Sequence, residues 1–380
     1  MTRAAGTGAV VVEALRSPIG TAGRALSGLS AAELAAPVLR AVHAVSGPTE
    51  VREVVLGNCM GPGGDVARVA ALSAGLPAGV PALTVDRQCA SGLAAVEVGA
   101  ALLAGSTGVV LAGGVESVST APWRFWPPVP GGSPERYERA PFAPDSVGDP
   151  DMGLAADLLA EEAGIDRSRQ DAYAARSHAR ASAAAAAGGF ADEIVRVGAV
   201  ERDERPRPGL TVERLARLRP AFRPRGTVTA GNSCGVNDGA AAVAIADQET
   251  ARELGRPGLR VLATATAGVD PNRPGVGLVP AVRLALSHAG LSLDEIDSVE
   301  LNEAFAGQVL ACCDELGLDP ERVCPDGGAL ALGHPWGASG AVLVVRLFSQ
   351  IVRQGRGRLG LAAIAAGGGQ GVAMVVERWP

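Results

Sequence analysis

The 380-residue chain is 47% apolar and carries 34 basic and 40 acidic residues, and every basic residue is an arginine. The absence of lysine excludes Walker-type P-loop chemistry and catalysis through a lysine Schiff base. A net charge of −6 argues against general nucleic-acid binding, and no apolar run approaches the length of a membrane span.

The six cysteines are sparse and have no CxxC spacing, so neither a disulfide framework nor a metal site is predicted. The first six residues lack a long apolar stretch of the secretory kind. We therefore expect free thiols and a cytoplasmic location, with no membrane and no nucleic acid as partners.

Short apolar runs alternate with longer helical patterns, which is typical of an α/β protein with buried strands. The capping box Ser30-Ala31-Ala32-Glu33 predicts the start of one helix. Gly188-Gly189 predicts the end of an alanine-rich helix that begins near Asp166. The apolar runs that predict strands include residues 9–12, 54–56 and 109–112.

Two distant regions share one pattern of turn, helix, strand and glycine turn. The first starts at Cys89-Ala90-Ser91-Gly92 and ends at Gly113-Gly114. The second starts at Gly337-Ala338-Ser339-Gly340 and ends at Gly367-Gly368-Gly369. This repeat predicts two similar halves packed together, with chance similarity of Gly/Ala-rich segments as the alternative.

A proline-rich segment with concentrated aromatic residues, 122–150, lies between these regions. Its aromatics indicate a lid or an interface, because a solvent loop gains little from exposing them. A purely structural role is the alternative.

Cys89 is the first candidate for chemistry, since it lies between a predicted strand and a predicted helix with only small residues after it. Helix N–H groups and the helix dipole lower a thiol pKa, and small neighbours let a carbonyl group approach the sulfur. An inert buried cysteine is the alternative.

His334 is the one histidine of four that lies between Gly and Pro rather than in a helical pattern. A loop imidazole is suited to remove and return a thiol proton. Asn302 follows a predicted strand, where its amide can orient a water or a thioester oxygen, or can simply cap the next helix.

Taken together, these residues resemble the thiolase family of acetyl-CoA C-acyltransferases over essentially the whole chain. The motifs that carry the resemblance occur in family order, namely Arg16-Ser17-Pro18-Ile19-Gly20, Arg87-Gln88-Cys89-Ala90-Ser91-Gly92, Gly113-Gly114-Val115-Glu116-Ser117, Gly226-Thr227-Val228-Thr229-Ala230-Gly231-Asn232, Asn302-Glu303-Ala304-Phe305 and Gly327-Gly328-Ala329-Leu330-Ala331-Leu332-Gly333-His334-Pro335.

The resemblance implies the α/β thiolase fold, with two pseudo-symmetric βαβαβαββ halves in a five-layer αβαβα arrangement. It implies an N-terminal half at 1–119 and 226–250, an inserted loop domain at 120–225, and a C-terminal half at 251–380. It also implies assembly as a homodimer or homotetramer.

By the same resemblance, Cys89 is the acylated nucleophile, His334 is its base, and Asn302 holds a water in an oxyanion hole. Coenzyme A enters as a thioester substrate, with no cofactor bound permanently. The positions that match the family's coenzyme A contacts are Met152, Arg207, Phe222, Ala230, Cys234 and Ala304.

The chain also departs from the family pattern. The second catalytic cysteine of thiolases is replaced by Ala365, and the serine beside the pantetheine is replaced by Cys234. Asp151 replaces the histidine before Met-Gly, Pro274 replaces a methionine near the acyl pocket, and Asp86 replaces an asparagine before the nucleophile. A methyl group cannot carry a proton, so we expect acylation of Cys89 but weak condensation without decarboxylation. Cys234 is the nearest candidate substitute by motif position.

These observations leave three alternative functions open. The first is Claisen-type formation or cleavage of a carbon–carbon bond between acyl thioesters through an acyl-Cys89 enzyme. The second is decarboxylative, ketosynthase-like condensation, in which loss of carbon dioxide makes the carbanion, or acyl transfer in a biosynthetic pathway. For both, the donor is an acyl-CoA or an acyl-carrier thioester. The third is a non-catalytic subunit with the thiolase fold.

Overall fold

The computed structural model describes residues 8–47 and 49–380. The first six residues, from which we expected no secretory signal, lie outside this range. Within it, no helix is long and apolar enough to cross a membrane.

Two sets of elements alternate along the described chain. The strands are β1 (Ala9–Arg16), β2 (Gly20–Thr21), β3 (Val51–Gly57), β4 (Ala82–Val85), β5 (Val109–Glu116), β6 (Arg124–Trp126), β7 (Glu135–Tyr137), β8 (Asn237–Asp247), β9 (Gly258–Gly268), β10 (Ser298–Leu301), β11 (Leu359–Ala366) and β12 (Gln370–Trp379). The α-helices are α1 (Ala31–His43), α2 (Val66–Ser73), α3 (Ser91–Leu102), α4 (Met152–Glu162), α5 (Arg167–Ala186), α6 (Val212–Leu215), α7 (Gln248–Leu254), α8 (Leu278–Ala289), α9 (Ala306–Leu316), α10 (Ala329–Leu332) and α11 (Trp336–Leu347).

Local sequence signals explain several of these boundaries. Ser30 and Glu33 form the predicted capping box at the start of α1. Asp166 caps α5 by accepting the backbone N–H of Arg169, and Gly188 follows the helix with a positive φ of 74°. Both helix predictions are confirmed.

The two halves have matching sheets. In the N-terminal half the strand order is β4-β3-β5-β8-β1, and in the C-terminal half it is β10-β11-β12-β9. The strands β10, β11, β12 and β9 repeat the positions and pairing directions of β3, β5, β8 and β1. A parallel bridge between Val299 and Val323 takes the place that β4 has in the first half. The repeat predicted from the sequence is therefore a repeat of structure.

The two sheets meet at their edges and enclose a pair of helices. Pairing of Val10 with Arg260 and of Val11 with Leu259 joins β1 to β9. Between the sheets, α3 lies against α11, and a Cβ on Gly92 would come within 2.8 Å of the Ala341 backbone nitrogen. Glycine at this position lets the two central helices approach closely.

Apolar residues form three layers of core. One core cluster combines inward-facing residues of both sheets with α3 and α11, such as Val110, Leu93, Val344 and Ile364. A second fills the space under α8 and α9, and a third fills the space under α1 and α2. Two sheets with helices inside and outside give the five-layer αβαβα arrangement of the thiolase fold, as predicted.

The segment between β5 and β8 is tied to both halves by buried charges. Glu193 pairs with Arg16 from β1, at 2.8 Å, and with Arg346 from α11. The Phe190 ring lies against both guanidinium groups. Each arginine has a second carboxylate partner, Asp203 or Asp326, so the cluster is an ionic network in the interior, in which Arg346 Nε alone of the Arg346 nitrogens has no hydrogen-bond partner among the described residues.

Candidate active site

Cys89 lies in the turn between β4 and α3, as the sequence predicts. Gln88, directly before it, has a left-handed φ of 49°, which is uncommon for a residue with a side chain and marks local strain. The turn is held by Ser91, whose Oγ donates to the Gln88 carbonyl oxygen at 2.6 Å and accepts the Arg87 backbone N–H at 2.7 Å. This turn places Cys89 at the wall of a cavity.

Two backbone N–H groups act on the Cys89 thiol, its own and that of Gly367 after β11. Both favour the thiolate, but burial has the larger and opposite effect and raises the pKa of Cys89 to about 12. We expected the helix start to lower this pKa. Desolvation outweighs the backbone groups, so the thiol of the free protein is neutral at pH 7.

A cavity of about 380 Å³ opens in front of Cys89. Its wall includes the expected contacts Met152, Phe222 and Cys234, together with Gly367. Residues that sequence reasoning did not assign to the site also line it, namely Cys59, Met60, Arg124, Arg139, Phe142, Val236 and Trp336. The cavity is mainly apolar with a few polar groups, which suits an acyl chain on a polar carrier.

Phe142 brings the proline-rich segment 122–150 into the site. Its ring lies so close to Gly367 that a Cβ there would come within 2.6 Å of it. The other aromatics of the segment do not line this cavity, since Trp126 stacks on Tyr137, and Trp123 and Phe125 are exposed. The concentration of aromatics was the available signal, although it could not show which ring enters the site.

His334 and Asn302 are brought together behind the cavity wall, and both are buried. Asn302 Nδ2 lies 3.5 Å from His334 Nε2, and Ser339 Oγ lies 2.6 Å from Nδ1. These contacts are satisfied when the ring carries its proton on Nδ1, which leaves Nε2 as a base. Burial lowers the pKa of His334 to about 4, so the imidazole is neutral at pH 7. Within the described residues, no hydrogen bond joins His334 to the Cys89 sulfur.

The loop that carries Asn302 is anchored through the next residue, Glu303. This buried carboxylate accepts hydrogen bonds from Tyr173 at 3.0 Å and Ser177 at 2.6 Å on α5. The Asn302 backbone N–H donates to the Ala363 carbonyl of β11 at 3.0 Å. The amide is therefore held by both the inserted segment and the C-terminal sheet.

The remaining expected contacts lie outside the cavity wall. Arg207 and Ala230 are exposed, and the Arg207 backbone N–H donates to His178 Nδ1 at 3.2 Å. Ala304 is half-buried and accepts the Cys234 backbone N–H at 2.9 Å. Ala365 also does not line the cavity and packs against the core under α8 and α9.

A cysteine in a strained strand-to-helix turn, with N–H groups around its sulfur and an Asn–His pair nearby, defines the class of enzymes that transfer acyl groups through a cysteine thioester. Comparison with known proteins gives the family. Residues 9–249 match the thiolase N-terminal domain and residues 256–378 match the thiolase C-terminal domain. The chain belongs to the thiolase family and is an acyltransferase.

Individual relatives match over nearly their whole length. The chain is 44% identical to an acetyl-CoA acetyltransferase and 44% identical to a beta-ketoadipyl-CoA thiolase, both of Pseudomonas aeruginosa, with 97% of this chain covered in each case and 99% and 98% of the relatives. It is also similar to the crystal structure of the Bacillus anthracis acetyl-CoA acetyltransferase, with a TM-score of 0.90, 39% identity and 100% of both chains covered.

Proposed function

We propose that the protein forms an acyl-enzyme on Cys89 and makes or breaks a carbon–carbon bond between acyl thioesters of coenzyme A by Claisen chemistry. One observation carries this proposal: the Cys89 sulfur lies at the cavity with the N–H groups of Cys89 and Gly367 beside it. Two N–H groups beside the sulfur are suited to stabilise the oxyanion that forms when the thioester carbonyl is attacked.

In this proposal His334 Nε2 accepts the Cys89 proton during attack, and Asn302 orients a water or the thioester oxygen. Coenzyme A enters as a substrate thioester, and no permanently bound cofactor takes part. Met152, Phe222 and Cys234 contact the pantetheine from the cavity wall, while Arg207, Ala230 and Ala304 contact the outer part of the carrier. The location of the first three in the cavity supports this division.

The domain boundaries, the cellular location and the oligomeric state are also part of the proposal. The N-terminal half comprises 1–119 and 226–250, the loop domain 120–225, and the C-terminal half 251–380, which is supported by the return of β8 to the first sheet. The six free thiols support a cytoplasmic location. A homodimer is supported by the exposed edge of β4, and a homotetramer by the exposed aromatics of β6.

Decarboxylative condensation is the second candidate, because Ala365 carries no titratable group to remove a proton from an acetyl methyl group. Loss of carbon dioxide from a malonyl-type thioester would remove the need for that base.

The test is intact-mass spectrometry after exposure to acetyl-, longer acyl- and malonyl-thioesters. We expect one acyl adduct in the native protein and none in Cys89→Ala. An adduct that persists in Cys89→Ala, or lies on Cys59, Cys312 or Cys313, would refute the assignment. The absence of any adduct in the native protein would favour a non-catalytic subunit. Release of carbon dioxide from the malonyl thioester identifies the decarboxylative reaction.

A further inference from the structure

Carbon–carbon bond formation without decarboxylation needs a base for the α-carbon of the second thioester, and Ala365 does not supply one. Two other thiols, Cys59 and Cys234, line the same cavity as Cys89. The structure distinguishes them by their surroundings.

Cys234 lies in a segment that is held between the loop of Asn302 and the loop of His334. Its backbone N–H donates to the Ala304 carbonyl at 2.9 Å, next to the Asn302 loop. On either side, Ser233 forms a backbone bridge with Phe305, and Val236 forms one with His334. The backbone that carries this thiol is therefore positioned by the loops that carry the Asn–His pair.

Arg205 supplies a positive charge next to this thiol. Its guanidinium lies against Gly235, where a Cβ would overlap Nη1. Among the residues that the structure describes, its one hydrogen bond is a long one of 3.5 Å from Nη2 to the Leu330 carbonyl. Arg205 Nε is buried with no hydrogen-bond partner, and within the described residues no carboxylate lies at ion-pair distance from this arginine. Burial raises the pKa of Cys234 to about 12, and the Arg205 charge opposes that rise.

Cys59 has the opposite environment. Its Sγ donates to the Gln88 carbonyl at 3.0 Å, so its proton is already engaged in the turn that holds Cys89. The buried Glu116 carboxylate accepts the Cys59 backbone N–H at 3.1 Å. Burial and this carboxylate together raise the pKa of Cys59 well above its ordinary value. Local charge therefore opposes the effect of burial at Cys234, where Arg205 outweighs Glu303, and adds to it at Cys59.

We propose that Cys234 is the second acid/base residue of this enzyme and replaces the thiol that Ala365 lacks. This inference rests on the proposed function, since it needs an acyl-Cys89 intermediate. It assigns a proton-transfer role to a position that the family resemblance connects only with pantetheine binding.

The proton balance closes without any further reactant. During acylation, His334 takes the Cys89 proton, the new Cys89 thioester forms, and the departing coenzyme A thiolate takes the Cys234 proton. During condensation, the Cys234 thiolate removes a proton from the α-carbon of the second acyl-CoA. The carbanion attacks the Cys89 thioester, the bond from sulfur to the carbonyl carbon breaks, and the Cys89 sulfur recovers its proton from His334.

The experiment separates acylation from α-proton removal. Native protein is incubated with acetyl-CoA in D₂O, methyl deuteration is followed by NMR, and the Cys89 adduct is measured by intact mass. The variants are Cys234→Ser, Cys59→Ser and Cys234→Ser/Ala365→Cys, with Cys313→Ser on α9 as a control thiol away from the cavity. Serine keeps the size and a hydrogen-bond donor but is a far weaker acid/base group.

We expect Cys234→Ser to reach the same Cys89 adduct, which also shows that it folds, but more slowly, because coenzyme A must then leave without the Cys234 proton. Deuteration should fall by at least about 100-fold. The double variant regains deuteration, and Cys313→Ser matches the native protein. Deuteration that survives in Cys234→Ser, or is lost in Cys59→Ser instead, overturns the role of Cys234. An adduct without deuteration in the native protein also overturns it and favours decarboxylation. If the native protein forms no adduct, the proposed function itself fails, and the inference fails with it.

Discussion

At the scale of single residues, the reactivity of Cys89 depends on a balance between burial and a few nearby groups. Burial raises the pKa of the Cys89 thiol to about 12. Burial also lowers the pKa of His334 to about 4, so at any pH between these two values the imidazole is neutral and can accept a proton. A thiol with such a high pKa reacts at neutral pH only if a base takes its proton during attack.

We therefore predict how alkylation of Cys89 by iodoacetamide depends on pH. The thiolate fraction of an unassisted thiol grows about tenfold per pH unit below its pKa. Assistance by His334 makes the native rate at pH 7 exceed that trend. His334→Ala should lower the rate at pH 7 and move the profile to higher pH, whereas His288→Ala, on an exposed helix face, should not. An unchanged profile in His334→Ala would mean that the base lies elsewhere.

At the scale of elements, buried groups of the inserted segment connect the two halves. Glu193 holds Arg16 and Arg346, which come from different halves, and Ser349 Oγ donates to the same carboxylate at 2.6 Å. Removing Glu193 leaves both buried arginines with one carboxylate partner fewer, and breaking a buried ionic network costs far more than the loss of a surface pair.

Glu193→Ala should therefore lower the free energy of unfolding by about 3–5 kcal/mol. The matched control is Glu315→Ala, which removes a surface pair with Arg283 and should cost at most about 1 kcal/mol. Urea unfolding measures both. Equal losses in the two variants would show that the buried network does not connect the halves as described.

The helix α5 gives a second prediction at this scale through His178. This side chain is 3% exposed, and its Nδ1 accepts the Arg207 backbone N–H. Burial, followed by the charges of Arg205 and Arg207, lowers its pKa from 6.5 to about 4. The unfolded chain therefore binds a proton more readily than the folded one, and stability present above pH 6.5 is lost as the pH falls towards 4.

The loss attributable to His178 is about 3 kcal/mol at most, from about 1.4 kcal/mol per unit of pKa. His178→Gln should make stability less dependent on pH between 6.5 and 4, as measured by urea unfolding at each pH. His288→Gln should retain the native slope. A native slope in His178→Gln would show that the imidazole is not the group that titrates.

Local signals predicted these elements well and the site only partly. The Ser30 capping box, the Asp166 cap and the repeat around Gly92 and Gly340 depend on neighbouring residues, so the sequence shows them directly. The entry of Phe142 into the cavity depends on the path of a loop some 50 residues away from Cys89. The pKa of Cys89 is raised because tertiary packing shields the sulfur from water, and the spacing of motifs along the sequence does not show that packing.

At the scale of the whole molecule, the two sheets differ in how their outer edges end. In the C-terminal half the outer neighbour of β10 is the short bridge at Val323, whereas in the N-terminal half the sheet ends in β4. Within the described chain, β4 pairs with β3 and with no other strand. Leu83 on β4 is 41% exposed. An edge strand with an exposed apolar residue is a ready site for pairing with a second copy.

If the protein is a homodimer through β4, a charge at this edge should separate the subunits. Leu83→Arg places a guanidinium against its symmetry-related copy and should shift the mass measured by light scattering towards the monomer. The matched control is Leu284→Arg on α8, because Leu284 is 40% exposed on a helix face instead of a strand edge. That variant should keep the native mass. If both variants keep the native mass, or if the native protein is already a monomer, β4 is not the subunit interface. A monomer of Leu83→Arg that still forms the Cys89 adduct would show that each chain holds a complete site for acylation.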